Sequence, residues 1–330
     1  MMQATKLGFQ IPNFTYADVA PAQLFDAVAA QAVAAETSGF DTVFVMDHFC
    51  QLPMMGTPDQ EMVEAYTLLG ALAARTSTAR LGTLVTGVTY REPAVLAKVV
   101  TALDVISGGR ALLGIGAAWF ELEHDALGVE FPPLRERYEH LVGALEICRG
   151  MFRQPSTTYE GTHHSVKDAY NSPAPINGDI GILIGGQGER KTFRLAAQYA
   201  NELNMTANFD DVPRKLEALQ GHLDDLGRDR SDISVTPLGF LALAETHDAA
   251  VEMLSGRLRF MGVDPAILDD RPAAEKLLGR VIYGDPDEVT DQVQRLMALG
   301  LDGLVVNMPS AHSTEAVAMA GEVLTRALDG

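Results

Sequence analysis

An acid and an imidazole stand side by side at Asp47 and His48, directly after the apolar run TVFVM. A histidine in such a place can accept or donate a proton, because its unperturbed pKa lies close to neutrality. The neighbouring carboxylate can fix the tautomer of the ring or contact a cofactor, although adjacent side chains on an extended segment point opposite ways. We therefore predict an acid–base role for His48 and a cofactor contact at Asp47. A histidine with only a structural hydrogen bond is the alternative.

Three glycine-containing segments follow other apolar runs and could admit a flat, anionic ligand. Glycine allows unusual backbone conformations and close approach of a ligand. Glycines ahead of a helix also leave amide donors that suit phosphate. Such segments could bind a cofactor; they comprise Thr86, Gly87 and Val88, then Gly116 and Ala117, and finally Gly185, Gly186, Gln187 and Gly188.

The last of these segments gives the clearest signal. It leads into the helical stretch KTFRLAAQYA, and Arg190 and Lys191 add positive charge to an otherwise acidic chain. It is not a P-loop, because no glycine directly precedes Lys191. The segment at Gly116 is not the dinucleotide fingerprint either, because Trp119 stands at its third glycine position. A flexible turn at 185–188 and simple turns at the other two segments are the alternatives.

Eight short β-rich runs alternate with amphipathic helical stretches, and these elements must position the residues above. Continuous apolar runs such as TVFVM and ILI are typical of strands covered on both faces. Parallel strands need crossover helices, so the pattern predicts a (β/α)8 TIM barrel, with a doubly wound open sheet as the alternative. The site then lies at the carboxyl ends of the strands. The predicted strands are 6–11, 42–46, 80–85, 110–115, 181–184, 202–205, 233–238 and 303–307.

The regular spacing is interrupted twice within what we predict to be one domain spanning 1–330. The segment 154–179 is rich in Pro, Thr and Asn, and TTYEGTHHSV within it predicts a short hairpin. A second insertion is predicted at 263–284, ahead of the eighth strand. No linker or internal repeat indicates a second domain.

Other chemically interesting residues lack the partners that would make them a site. His163 and His164 could ligate a metal ion, but no HExxH motif or set of Cys partners accompanies them. We therefore expect an exposed loop there and predict no metal site. Cys50 and Cys148 have neither a metal nor a redox spacing. Glu64 is expected to be a solvated carboxylate on a helix.

The composition excludes several classes of function. The formal net charge of −19 argues against nucleic acid and anionic membranes as partners, since both attract basic surfaces. The first residues, MMQATKLGFQI, lack the pattern of a signal peptide. No apolar run approaches the roughly 20 residues that span a bilayer. Two cysteines in a chain of this length fit a reducing compartment. We therefore predict a cytoplasmic protein that acts on a small molecule.

Three segments together resemble the luciferase-like monooxygenase superfamily, and in particular its F420-dependent oxidoreductases. They are FDTVFVMDHF at the second strand, RLGTLVTGVTYREPAVLAKVVTALDVISGGRALLGIGAAWFELEH across the third and fourth, and ILIGGQGERKTFRLAAQYANELN at the fifth. The resemblance covers nearly the whole chain. It implies a luciferase-like barrel, the deazaflavin coenzyme F420 as cofactor, and a homodimer.

The resemblance also implies roles for individual residues. The family uses a bulge after strand three to back the cofactor ring, often through a non-prolyl cis peptide, and Gly87 and Val88 match it. Asp47 matches a position near the ring, and His48 matches the residue that handles the substrate proton in some alcohol and sugar dehydrogenases of the family. The residues that match the phosphate site and the cofactor pocket are Gly185, Gly186 and Gly188, with Gly116 and Ala117.

The implied reaction is hydride transfer between F420 and a small organic substrate such as a ketone, an imine, an activated alkene or an alcohol. The family's sugar dehydrogenases place a Glu where this chain has Ala117, which argues against a sugar phosphate. An FMN-dependent monooxygenase with a separate reductase is one alternative, because FMN and F420 share a ring-plus-phosphate outline. A non-catalytic cofactor-binding protein is the other.

Overall fold

A computed structural model describes residues 4–269, 273–274, 277–308 and 311–330. Parallel strands in these ranges pair side by side into a closed ring, in the order β1-β2-β3-β5-β8-β9-β10-β12 and back to β1. The strands are β1 (Leu7–Ile11), β2 (Thr42–Val45), β3 (Arg80–Thr83), β4 (Thr86–Gly87), β5 (Ala111–Gly116), β6 (Ser156–Glu160), β7 (Ser165–Tyr170), β8 (Gly181–Gly185), β9 (Glu202–Met205), β10 (Ser234–Leu243), β11 (Val281–Gly284) and β12 (Leu304–Asn307).

Helices follow most of the barrel strands and cover the outside of the ring, as parallel crossovers require. They are α1 (Leu24–Thr37), α2 (Ala65–Ala73), α3 (Pro93–Ser107), α4 (Glu121–Leu127), α5 (Leu134–Arg153), α6 (Thr192–Tyr199), α7 (Val212–Leu226), α8 (His247–Phe260), α9 (Pro286–Met297) and α10 (Thr314–Asp329). Of the helices in the described ranges, none is long and apolar enough to cross a membrane.

Closure of the ring depends on the pairing of β9 with β10, in which Glu202 lies opposite Ser234 and Met205 opposite Pro237. The predicted (β/α)8 barrel is therefore confirmed, and the open sheet is wrong. The interior of the ring is filled by apolar side chains rather than left as a pore; Phe44, Leu112, Leu183 and Val305 form its fully buried centre. A ligand consequently has access only from an end of the barrel.

Local signals in the sequence set several helix ends. Pro93 begins α3, and Gly108 follows its last residue with φ 72°, a left-handed conformation that favours glycine. Before α9, Asp285 accepts from the amides of the first turn, while Glu288 reaches back to the amide of Asp285.

Two strands have a boundary that differs from the prediction by more than one residue. β3 ends at Thr83, because the chain turns out of the ladder at a cis peptide between Leu84 and Val85. β10 continues to Leu243, because its last four residues pair with β11, a parallel strand that lies outside the ring. The sequence GFLAL is apolar to its end for this reason.

The first predicted insertion contains the predicted hairpin, formed by antiparallel pairing of β6 and β7. The second predicted insertion, 263–284, lies partly outside the described residues. Its described portion contains a short 3-10 turn at Pro265–Asp269 and the outer strand β11.

An ion pair closes the amino-terminal end of the barrel. Arg80 at the start of β3 donates to Glu202 at the start of β9 (2.7 Å), and their side chains are 11% and 2% exposed. The second carboxylate oxygen of Glu202 accepts from the amide of Thr5 (3.1 Å). The pair therefore joins strands from both halves of the ring at a buried position.

We expect Arg80→Met to lower the free energy of unfolding by about 3–5 kcal/mol, because it leaves the Glu202 carboxylate buried without its cation. Arg75→Met is the matched control, since Arg75 pairs with Asp26 where both side chains are more than half exposed. That control should cost less than about 1 kcal/mol. Urea unfolding of the three proteins measures both values, and equal losses would contradict the buried pair.

Candidate active site

The carboxyl ends of β5 and β8 bring two of the predicted glycine segments into direct contact. Ile115 pairs with Ile184, which places Gly116 beside Gly185. A Cβ atom on Gly116 would lie 3.3 Å from the Gly185 carbonyl oxygen and 3.0 Å from Val85 Cγ2. A Cβ atom on Gly185 would lie 2.7 Å from Val85 Cγ1. Val85 therefore leaves little space for a side chain at Gly116 and less at Gly185, at the mouth of the barrel.

The segment after β3 packs against both glycine turns. Its cis peptide joins Leu84 to Val85, and Val85 is the residue between the two glycine turns. Val88 is 3% exposed and packs in the main hydrophobic core, while Gly87 pairs with Gly116 in the sheet. The cis peptide therefore precedes Gly87 and Val88 in the chain, and a contact of these two residues with a cofactor stays a prediction.

Buried polar side chains support this segment from inside. Thr86 is fully buried, and its hydroxyl bonds those of Tyr66 (2.6 Å) and Thr83 (2.8 Å). Gln10 at the end of β1 donates to the Leu84 carbonyl oxygen (3.0 Å) and accepts from Asn307 at the end of β12 (3.0 Å). The Oδ1 atom of Asn307 is buried and has no hydrogen-bond partner in the described part of the chain.

His48 pairs with a carboxylate that sequence reasoning missed. Its Nδ1 atom lies 3.1 Å from Oε2 of Glu123. Glu123 belongs to α4, and its side chain is 0% exposed. The same carboxylate accepts from the amides of Phe49 (2.6 Å) and Cys50 (3.0 Å) and from the hydroxyl of Tyr90. One buried acid therefore holds the turn after β2 and the imidazole together.

The charge of Glu123 fixes the tautomer of the His48 ring. Burial alone would raise the pKa of Glu123, but hydrogen bonds from His48, Tyr90 and two backbone amides lower it to about 2. An ionised carboxylate can only accept, so His48 Nδ1 carries the proton of that hydrogen bond. In the neutral ring, Nε2 is then the unprotonated nitrogen.

Asp47 follows β2 directly before His48 but has a different partner. Its two carboxylate oxygens accept from Arg91 at 2.7 and 2.9 Å, and Asp47 is 3% exposed. Arg91 also donates to Glu64 (2.7 Å), which caps the start of α2 through the Thr67 amide. The solvated role expected for Glu64 is therefore wrong, and the contact of Asp47 with a cofactor stays a prediction.

The turn after β8 is shaped by contacts to its carbonyl groups. Lys215 donates to the Gln187 carbonyl (2.9 Å), the Phe193 amide donates to that of Gly188 (3.1 Å), and His222 contacts that of Glu189 (2.8 Å). The amides of Gln187, Gly188 and Glu189 donate to no acceptor in the described chain. These donors lie ahead of α6, where a helix favours an anion.

The turn after β5 is held by a buried cation. Arg137 donates to the carbonyl groups of Ala117 (3.3 Å) and Ala118 (2.6 Å), and Ala118 adopts the left-handed conformation with φ 59°. The turn directs Trp119 outward, where it is 57% exposed and its ring centroid lies 5.8 Å from that of His48. The turn that contains Ala117 therefore reaches His48 through the ring of Trp119.

Comparison with known proteins agrees with this architecture. The model of the family described as luciferase-like monooxygenase matches residues 5–303. The chain belongs to the luciferase-like monooxygenase family. The resemblance stated from the sequence is thereby confirmed, since the match includes every segment that carried it.

Relatives within and around this family include proteins named for F420. The F420-dependent glucose-6-phosphate dehydrogenase of Microbacterium testaceum is 33% identical over 312 residues, covering 88% of this chain and 89% of that protein. The coenzyme F420-dependent tetrahydromethanopterin reductase of Methanopyrus kandleri superimposes with a TM-score of 0.77 at 21% identity, covering 98% and 99% of the two chains. An F420-dependent secondary alcohol dehydrogenase, solved with an F420–acetone adduct, has a TM-score of 0.78 at 20% identity and covers 99% of both chains.

Because the pKa of Glu123 is lowered, we expect the stability of this luciferase-like protein to depend on pH in the acid range. A carboxylate whose folded pKa lies below its ordinary 4.5 stabilises the fold above pH 4.5, and the contribution disappears as the pH falls toward 2. The difference corresponds to at most about 3 kcal/mol.

Glu123→Gln should remove this pH-dependent contribution while keeping the shape of the side chain. Chemical unfolding at pH 7, 4 and 3 measures it. We expect the difference in the free energy of unfolding between wild type and variant to narrow below pH 4.5. A constant difference across this range would contradict an ionised Glu123.

Proposed function

We propose that the chain is an F420-dependent oxidoreductase that transfers a hydride between the deazaflavin coenzyme and a small organic substrate. The observation that carries the proposal is the convergence of the Gly116 and Gly185 turns on Val85, beside an imidazole oriented by a buried carboxylate. The relative with 33% identity, named as an F420-dependent dehydrogenase, supports the cofactor class.

The residues at the barrel mouth fit a ligand with a flat ring and a phosphate. Val85, with Gly116 and Gly185 on either side, offers a surface that a Cβ atom on either glycine would crowd. The unpaired amides of Gln187 and Gly188 supply donors for phosphate oxygens. When bound there, a deazaflavin supplies the ring carbon that gives or takes the hydride.

His48 supplies the proton chemistry in this proposal. With Nδ1 donating to Glu123, the Nε2 atom of the neutral ring can accept the hydroxyl proton of an alcohol as that alcohol becomes a carbonyl. In the opposite direction the protonated ring returns this proton to a carbonyl oxygen. The Glu123 carboxylate stabilises the imidazolium by ion pairing and holds its orientation, as a carboxylate does in other acid–base pairs.

The cofactor is tested by titrating the purified apoprotein with F420 and with FMN. We expect tighter binding of F420, and Gly185→Val should weaken it at least tenfold, because the added isopropyl group enters the space next to Val85. Gly221→Val serves as the control, since nothing lies within 4 Å of a Cβ atom there. Tighter binding of FMN would favour the monooxygenase alternative, and binding of neither would reject the proposal.

The role of His48 is tested by His48→Ala, with a secondary alcohol and glucose 6-phosphate as the substrates assayed. Glucose 6-phosphate is included because the relative from Microbacterium testaceum is named for it, against the expectation drawn from Ala117. We expect turnover to fall about 10²- to 10⁴-fold with nearly unchanged F420 affinity.

The control for this variant is His247→Ala, because His247 also pairs with a carboxylate, Glu288, at an exposed position. It should leave turnover unchanged. An unaltered rate in His48→Ala would remove this residue from the mechanism, and F420 binding without hydride transfer to any substrate would favour a binding protein. The homodimer and the cytoplasmic location also stay predictions.

A further inference from the structure

The hairpin of β6 and β7 places its tip against α5, and histidines gather where they meet. His163 and His164 lie at the tip, and Glu136, Glu139 and His140 share one face of α5, since residues three and four apart on a helix are neighbours. The histidines are partly buried, and none of these residues belongs to the mouth of the barrel. The sequence spacing concealed this cluster, because His140 is far from the histidine pair in the chain.

The side chains are already in mutual contact. The rings of His140 and His163 stack at 20° with centroids 4.2 Å apart. His140 Nδ1 lies 3.0 Å from His164 Nε2, and His163 Nε2 lies 3.0 Å from Glu139 Oε2. Each of the two stacked rings thus uses one nitrogen for a hydrogen bond and has its second nitrogen available.

Three of these groups converge on a common point. Glu136, His140 and His163 each offer one ligand atom, and these atoms all lie within 4.8 Å of one another. His163 Nδ1, which the bond to Glu139 leaves available, is 3.9 Å from Glu136 Oε1. Small side-chain rotations bring such atoms to the roughly 2.0–2.2 Å that Zn²⁺ requires from nitrogen and oxygen ligands.

We propose that Glu136, His140 and His163 bind a divalent transition-metal ion, of which Zn²⁺ is the best match. Two imidazoles and a carboxylate with one open position form a known type of tetrahedral Zn²⁺ environment, and imidazole disfavours Mg²⁺ and Ca²⁺. Glu139 and His164 complete the site, because each bonds the second nitrogen of a ligand ring and fixes its tautomer. The ion fastens the hairpin to α5.

The competing interpretation is a hydrogen-bonded histidine cluster that holds the hairpin without an ion. The two differ in a measurement that requires neither cofactor nor substrate. The untagged full chain, freed of metal by a chelator, is titrated with Zn²⁺ by calorimetry, and Co²⁺ serves as the spectroscopic probe. We expect one tight equivalent of Zn²⁺ and the intense visible absorption of tetrahedral Co²⁺.

Variants locate the binding. His140→Ala, His163→Ala and Glu136→Gln should each weaken Zn²⁺ affinity at least tenfold, and Glu139→Gln should weaken it about 10- to 100-fold through lost support of a ligand ring. His247→Ala is the matched control, since His247 and Glu288 form a histidine–carboxylate pair away from this cluster. It should leave the affinity unchanged.

A second readout guards against a variant that simply folds poorly. Zn²⁺ should slow proteolytic cleavage within 156–170 in the wild-type chain and in His247→Ala, but not in His163→Ala. No Zn²⁺ binding by the wild-type chain would overturn the proposal. Equal binding by a folded His140→Ala/His163→Ala double variant would overturn it as well, because the ion would then lie elsewhere.

Discussion

The buried Glu123 carboxylate is the interaction on which the candidate site depends. It is fully enclosed, yet hydrogen-bond donors from two separate segments satisfy it: the turn after β2, which supplies His48 and the amides of Phe49 and Cys50, and the loop bearing Tyr90. A buried charge with this many hydrogen bonds is stable only while all of its donors stay in place. Because Glu123 lies on α4 and bonds the His48 ring, the orientation of that ring depends on the position of α4.

Close packing of backbone is the second constraint. The turns at Gly116 and Gly185 pack against Val85 so closely that a side chain on either glycine would crowd it. Beneath them, Gln10 links the Leu84 carbonyl to Asn307, so that the first, third and last strands of the ring support the same segment. The mouth of the barrel around Val85 is thus shaped by two glycine turns and by the side chain of Gln10 that supports Leu84.

Much of the fold could be predicted because barrel strands are apolar along their whole length, as in TVFVM and ILI. The glycine turns were predictable for a related reason: each directly follows such a strand. Glu123 escaped detection because it lies on a helix one residue before His124, and nothing in ELEH distinguishes a buried acid from a solvated one. Glu123 and His48 are 75 residues apart in the chain, and only the folding of α4 over the turn after β2 brings them together.

The same limit explains the errors. The third strand was expected to run to Val85, but β3 ends at Thr83 because the chain leaves the ladder there. Glu64 was taken as solvated because its partner Arg91 lies across a strand and a loop. Pairings between distant segments depend on tertiary geometry, which residue spacing does not encode.

The outward turn at Ala118 has an optical consequence. Trp119 is the single tryptophan of the chain, and it stands half-exposed within reach of the His48 ring. Indole emission from this protein therefore originates at one place, the turn after β5 beside the His48 ring. Any molecule that settles there, or any movement of the loop that bears the ring, alters the whole of that signal without interference from other fluorophores of its kind.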